Sequence, residues 1–399
     1  MEKGMARYTI LLFLFLVCWH FGCPSGPDIS EAELKKRKDI QQALKQSEEA
    51  FENGDFQKAV DILNKISKQY PQSPKPYQKL ANISLEQIHK LEKKNILDSA
   101  PYLSAIQGGV EYFKRLNPKK ENEKEIKKAK KSLIWLTNIL KTVFSGIPIQ
   151  KFDEALRNAE DLVPLVENQK WKEAKLFLGY FYLYKFRLDK AKEYLQQAAM
   201  IEANDGLKMI VKLKQVEPES SAGKKLVFRK VLRRGDAAAF FAFEMKKYKL
   251  KEENRIPGRY TEGMTIQDIQ DYWAKNEIEY CLKMGVMRLL GSKTFQPSIP
   301  LQRIEAAILA INVLRIHKGD FRLIERYKAK TKLETFEDKE EDFGTDEFDE
   351  SNEPYAFGAV QEGFFQIGKD KKFYPTMSLS GLEFMEILHK LKKKIRSNG

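Results

Sequence analysis

The side chains that could do chemistry are few. The cysteines are Cys18, Cys23 and Cys281, and the histidines are His20, His89, His317 and His389. No Cys-x-x-Cys or His-x-x-x-His pair occurs among them, which excludes a zinc site of ordinary spacing. A phosphate loop of the Gly-x-x-x-x-Gly-Lys type, a Gly-x-Gly-x-x-Gly fingerprint and a Gly-x-Ser-x-Gly elbow are missing as well. What stands out is arginine at helix openings, in Arg233-Arg234-Gly235-Asp236 and Gln302-Arg303-Ile304-Glu305. A guanidinium one residue inside a helix lies beside free backbone N–H groups and the positive dipole end. Together these make an anion site suited to a carboxylate held by two parallel hydrogen bonds. Arg303 and Arg234 are therefore candidate ligand contacts. The competing reading of Arg303 is a structural ion pair with Glu305 or Asp268.

The elements that must carry these residues are helical, and the composition allows a core. The chain has 399 residues, enough for two or three domains, and is 42% hydrophobic, which excludes wholesale disorder. Lys and Arg number 70 against 56 Asp and Glu, a formal charge of +14. Such a surface favours anionic neighbours: nucleic acid, phosphate-rich membranes or acidic glycans. The stretch from Lys119 to Lys131, with seven Lys and three Glu, reads as a solvated helix face.

At the N-terminus Lys3 and Arg7 precede an apolar run from Ile10 to Val17, extended by Trp19 and Phe21. The run falls short of the roughly 20 residues a membrane span needs and reads as a secretory signal over residues 1–22. Gly22 directly before Cys23 resembles a bacterial lipoprotein cleavage site, although His20 and Phe21 stand where Leu and a small residue are usual. The resemblance implies a lipidated Cys23 followed by a short linker over 23–30. Two or more acyl chains would hold such a protein durably on a membrane. An uncleaved anchor, or an ordinary signal cut nearby, is the alternative.

Ser30 with Glu33 forms a capping box, and the chain reads as helical from residue 31 to 215. Ala50, Gly54-Asp55-Phe56, Ala59, Leu63, Ile66 and Pro71 place small residues at a helix crossing, an aromatic at the turn and a closing proline. Leu178-Gly179, Tyr182, Phe186, Ala191, Leu195 and Ala198 repeat the arrangement, and Phe152, Ala155 and Ala159 look like the second helix of a worn copy. These residues resemble the tetratricopeptide repeat, which implies a stacked helical solenoid. Such a solenoid serves as a concave scaffold for a partner protein, or as a spacer.

A different repeat occupies residues 226–399. Gly285 and Gly363, Phe295 and Phe373, Pro297 and Pro375, and Glu305 and Glu383 all stand 78 residues apart. One copy runs through Asp268, Trp273-Ala274, Gly285, Phe295-Gln296-Pro297 and Arg303-Ile304-Glu305. The next runs through Phe336-Glu337-Asp338, Tyr355-Ala356, Gly363, Phe373-Tyr374-Pro375 and Ser380-Gly381-Leu382-Glu383, and a further helix start lies at Arg233-Arg234. These residues resemble the S-layer homology repeat, placed near 226–250, 266–318 and 336–395. The resemblance implies an all-α, pseudo-threefold helical bundle whose grooves bind an anionic, pyruvylated polymer of the cell wall. Arg303, Arg234, Trp273 (stacking on a sugar face) and Asp268 are the residues it points to. Gln302 and Arg233 at the cap positions weaken the cap that Ser380 makes with Glu383. Gly381 stands where the third arginine belongs, so we expect one or two working grooves. The acidic insert from Glu334 to Glu353 lacks a regular calcium loop and reads as an exposed loop.

The expectation is an all-α, two-module envelope lipoprotein. It would tether a membrane, in a two-membrane bacterium the outer one from its periplasmic side, to a wall polysaccharide or peptidoglycan-linked polymer. The alternative is a periplasmic or surface adaptor whose helical groove binds a partner protein for assembly or secretion. No cofactor, metal, nucleic acid or enzymatic activity is expected.

Overall fold

A computed structural model describes residues 30–94, 96, 98–116, 122–248, 250–258, 260, 261, 263–331, 336–344 and 351–397. The expected signal segment, the Cys23 lipidation site and residues 24–29 of the linker lie outside them. The described residues form 17 α-helices and no strand, an all-α chain. By packing they divide into two units, one ending at Pro76 and one beginning at Tyr77.

The first unit is a helix pair, α1 (Glu31–Glu52) and α2 (Phe56–Gln69). The Ser30 hydroxyl accepts from the Glu33 amide at 3.3 Å, and the Asp55 carboxylate accepts from the Lys58 amide at 2.9 Å. Each cap satisfies an amide that the first helical turn leaves without a partner. Ala50 and Ala59, the small residues expected at the crossing, are buried, as are the repeat positions Leu63 and Ile66.

The second unit opens inside the first turn of α3 (Lys75–Lys93) and continues as an arm of helices: α4 (Ala100–Leu116), α5 (Glu123–Gly146), α6 (Ile149–Glu160), α7 (Val163–Val166), α8 (Lys172–Tyr184), α9 (Leu188–Ala198) and α10 (Ala203–Val216). Consecutive members pack on one another, α4 on α5, α8 on α9 and α9 on α10, with α5 and α6 both against α8. Leu195 of α9 lies so close to Gly179 of α8 that a Cβ would meet its side chain at 2.6 Å. Phe152, Ala155 and Ala159 are buried on α6. Helix pairs thus stand where the repeat residues were read.

The chain continues through α11 (Ser221–Leu226), α12 (Arg234–Met245), α13 (Lys275–Met284), α14 (Arg303–Lys318), α15 (Leu323–Thr331), α16 (Glu353–Gln361) and α17 (Gly381–Ser397). Helix α14 is buried on nearly every side between Ile304 and Ile316 and packs against α16 and α17. A helix that is apolar nearly all round has to be enclosed by others. The expected helix from Trp273 starts two residues later, at Lys275. Within the acidic insert, expected as an exposed loop, Phe343 is buried against Phe336 and Phe373, so apolar contact overrides the surrounding charge there.

No break separates the arm from these later helices. One apolar core runs from Ala81 to Ile395, so the interval between 215 and 226 lies inside it. A buried ion pair ties α12 to α17. Lys392 of α17 donates to Glu244 of α12 at 2.5 Å, and Glu244 also accepts from the amides of Glu219 and Ser220 and from the Ser220 hydroxyl. Every oxygen of that carboxylate is used, as a buried charge requires. Among the described residues no helix is long and apolar enough to cross a membrane.

Removing one member of a buried pair leaves the other charge without compensation, at a cost of about 3–5 kcal/mol. Lys392→Met is therefore expected to lower stability by about 3 kcal/mol in urea unfolding followed by circular dichroism. Lys212→Met breaks the solvent-exposed bridge to Glu386. It should cost less than about 1 kcal/mol. Equal effects would contradict the buried, charge-compensating role given to Lys392.

Candidate functional site

Three leucines organise the candidate site. The amide of Leu301 donates to the carbonyl of Leu232 (2.8 Å), that of Leu379 to Leu301 (3.0 Å), and that of Leu232 to Leu379 (2.7 Å). The ring closes on itself, and all three side chains are buried. Each leucine immediately precedes the cap residue of a long helix: Arg233 for α12, Gln302 for α14 and Ser380 for α17. The three helix starts are thus fixed around a pseudo-threefold axis.

Two corners of this ring are built alike. The Arg234 amide donates to Ile299 and the Gly235 amide to Pro297; the Arg303 amide donates to Met377 and the Ile304 amide to Pro375. Each Phe-x-Pro loop is held by one aspartate. Asp268 accepts from the amides of Phe295 (2.9 Å) and Gln296 (2.6 Å), and Asp338 from those of Phe373 (2.6 Å) and Tyr374 (2.9 Å). The middle residues Gln296 and Tyr374 sit at φ 59° and 57°, the left-handed region, which turns two successive amides toward one carboxylate. Asp268, expected among the polymer contacts, is occupied on both oxygens by its own loop.

The arginines reach across to the next loop. Arg234 donates from Nε to the Phe295 carbonyl (3.0 Å) and from Nη2 to the Arg288 carbonyl (2.8 Å), and its Nη1 is ion-paired with Glu305. Its guanidinium carbon lies 4.6 Å from the Phe295 ring centre. Only 2% of the residue is exposed, and burial pushes its pKa down to about 9, still charged at neutral pH. This corrects the expectation for Arg234, which is enclosed because two carbonyls and a carboxylate from the neighbouring repeat converge on it.

Arg303 makes the same reach with one difference. Its Nε donates to the Phe373 carbonyl (2.8 Å) and its Nη2 to the Gln366 carbonyl (3.3 Å), over the rings of Phe365 and Phe373. Burial lowers its pKa while the charges of Glu383 and Asp338 work the other way. Glu383, however, is turned to its own helix start and accepts from the amide and hydroxyl of Ser380. Arg303 is therefore half-buried, and its Nη1 meets no partner among the described residues. Of the two arginines it is the one with a donor left to offer. Neither Glu305 nor Asp268 is its partner. Glu305 also accepts from the Gln302 amide at 3.0 Å, so the cap expected to be weak there is made by the acid instead. Trp273 is half-buried beside Tyr272, whose ring closes over Gly235 next to Arg234.

The third corner is different, as Gly381 suggested. Its amide donates to the Arg229 carbonyl at 2.8 Å, and the Leu226 carbonyl lies where a Cβ on residue 381 would be. Asp236, which takes the place of Glu305 and Glu383 in this repeat, is ion-paired with Arg229 at 3.4 Å, both buried. Sequence reasoning missed Arg229. Its only signal was a cation just ahead of the Arg233-Arg234 helix start, in the repeat that Gly381 faces. Beside this corner a cavity of about 240 Å³ is lined by Tyr102, Arg229, Lys230 and Arg233 together with Glu92. No group of residues that could hold a metal ion occurs among the described residues.

Residues 265–307 match the family model described as S-layer homology domain. That stretch contains Asp268, Trp273, the Phe295-Gln296-Pro297 loop and Arg303. Domains of this family bind cell-wall polymers, which associates the chain with the cell envelope or surface. No curated protein and no solved structure matches the chain.

Forcing a side chain into a filled space typically costs about 1–3 kcal/mol. Gly381→Ala meets backbone, which yields less than side chain, so its expected loss is at the upper end, about 3 kcal/mol by urea unfolding. A loss below about 1 kcal/mol would show that the third corner is looser than described.

Proposed function

We propose that the chain is an envelope lipoprotein that tethers a membrane to the cell wall. Its C-terminal bundle binds an anionic, pyruvylated wall polymer, and its helical arm serves as a spacer or scaffold. The single observation that carries this reading is the family match over the stretch that holds the half-buried Arg303 with its remaining donor. The formal charge of +14 supports an anionic ligand. The charged start, short apolar run and Gly22-Cys23 support a lipid anchor, which we assign to the outer membrane's periplasmic side as part of the same proposal. Binding without catalysis is the natural reading of a chain whose charged residues at the helix starts are held by structure.

An adaptor role has one observation in its favour. Phe113, Leu165 and Trp171 line a cavity of about 410 Å³ on the arm, and Leu165 is nearly half exposed. An apolar opening of this size is where a partner's side chain would seat.

Co-sedimentation of the whole chain with purified walls tests the tether. Wild type is expected to pellet with intact walls at about 0.15 M salt and to stay bound at several times that salt, where diffuse attraction between exposed charges is screened. Walls stripped of their accessory polymer should retain little of it. Arg303→Ala should reduce pelleting severalfold while Arg303→Lys, which keeps the charge, loses less. Pelleting that salt abolishes with intact and stripped walls alike overturns the proposal.

A further inference from the structure

A cavity of about 310 Å³ lies on the arm, walled by α6, the turn between α8 and α9, and α11. The volume is at the small end for small-molecule sites and admits a ring-sized group with one charged substituent. Phe152, Leu156 and Phe186 supply its apolar wall. Phe186 holds φ at 55°, the left-handed region that a residue with a side chain seldom adopts, and its ring centre lies 6.3 Å from that of Phe228. The tight turn thus sets an aromatic ring in the wall.

Four cations and two carboxylates line the same space. Lys225 donates to Asp153 at 2.6 Å, and Lys185 is ion-paired with Glu160. These pairs answer each other and leave Arg157 and Lys224, neither of which forms an ion pair with the described residues. Lys224 is half-buried, its Nζ 5.6 Å from the centre of the Phe186 ring. A cation over a ring is held in place without having its charge cancelled. Tyr184 also lines the cavity; it is 8% exposed, and its hydroxyl makes no hydrogen bond with the described residues.

Two uncommitted cations beside an apolar wall select the chemistry of a ligand. A single carboxylate would leave one of them unanswered. A phosphate monoester carries close to two negative charges at neutral pH and offers three strong acceptor oxygens. The apolar wall favours a phosphate that carries an apolar body, which the bare ion lacks.

We propose that this cavity binds a phosphate monoester, its phosphate held by Arg157 and Lys224 and its apolar body laid on Phe152, Leu156 and Phe186. The site belongs to the arm and does not depend on the wall-binding reading of the bundle. The same chemistry is offered by a lipid headgroup and by a soluble phosphate ester, and the probes below separate these.

Calorimetric titration of the whole chain at about 0.15 M salt would use four probes: phenyl phosphate, dihexanoyl phosphatidate, benzoate and inorganic phosphate. At least one of the two esters is expected to bind ten times or more tighter than benzoate, which carries a ring and a single charge, and tighter than inorganic phosphate, which carries no body. Tighter binding of the short-chain lipid identifies a headgroup as the source, and tighter binding of phenyl phosphate a soluble ester. Arg157→Gln and Lys224→Gln should each weaken the better ester at least fivefold. Arg157 is exposed and Lys224 half-buried, so each variant carries the test if the other does not fold. Lys208→Gln removes the same charge from an exposed position on α10 and should change affinity less than twofold. Benzoate or inorganic phosphate binding as tightly as both esters overturns the proposal. So does an equal loss in Lys208→Gln, which would show diffuse attraction to a basic surface, or no loss in either cavity variant.

Discussion

Everything at the candidate site depends on the closed ring of backbone hydrogen bonds among Leu232, Leu301 and Leu379. Three loops that bury their amides and carbonyls have no water to satisfy them, and each solves the problem by pairing with the next. The consequence is that three helix starts converge and each arginine faces its neighbour's carbonyls rather than its own helix. The guanidiniums then do structural work first. Arg234 is consumed by it entirely, and Arg303 is left with one donor because Glu383 prefers the hydroxyl and amide of Ser380.

The helices, the 78-residue repeat and the Gly381 exception were all legible in the sequence, because each rests on local chemistry: capping residues, periodic apolar positions, a fixed spacing. The partners of charged residues were not. Glu305 lies two residues from Arg303, and spacing suggested that they pair, yet its ion pair is with Arg234, a contact set by the ring and not by the helix they share. Asp268 was expected as a ligand residue from the repeat resemblance; its role as a clamp on two loop amides needs the left-handed turn at Gln296, which no residue type there announces. Long-range packing is likewise set in three dimensions: the interval between 215 and 226 lies inside one apolar core, and Lys212 of α10 pairs with Glu386 of α17.

Stability and ligand affinity draw on the same residue type here. An arginine fully surrounded by carbonyls and a carboxylate stabilises a corner and binds nothing further, whereas one held by two carbonyls alone keeps part of its field for an outside anion. Arg303, at the first turn of α14, is such a partly committed guanidinium. It stands on a helix buried along most of its length, which fixes its position more rigidly than a surface loop would.

The third corner also says something about the history open to this chain. Restoring arginine at residue 381 by one substitution would set its Cβ against the Leu226 carbonyl, and its charge would arrive where Arg229 already answers Asp236. The loop would have to retreat and Arg229 would have to leave at the same time. Each step alone is a loss, so the asymmetry among the three repeats is self-locking: the route back to a regular trimer of repeats passes through a less stable intermediate whichever change comes first.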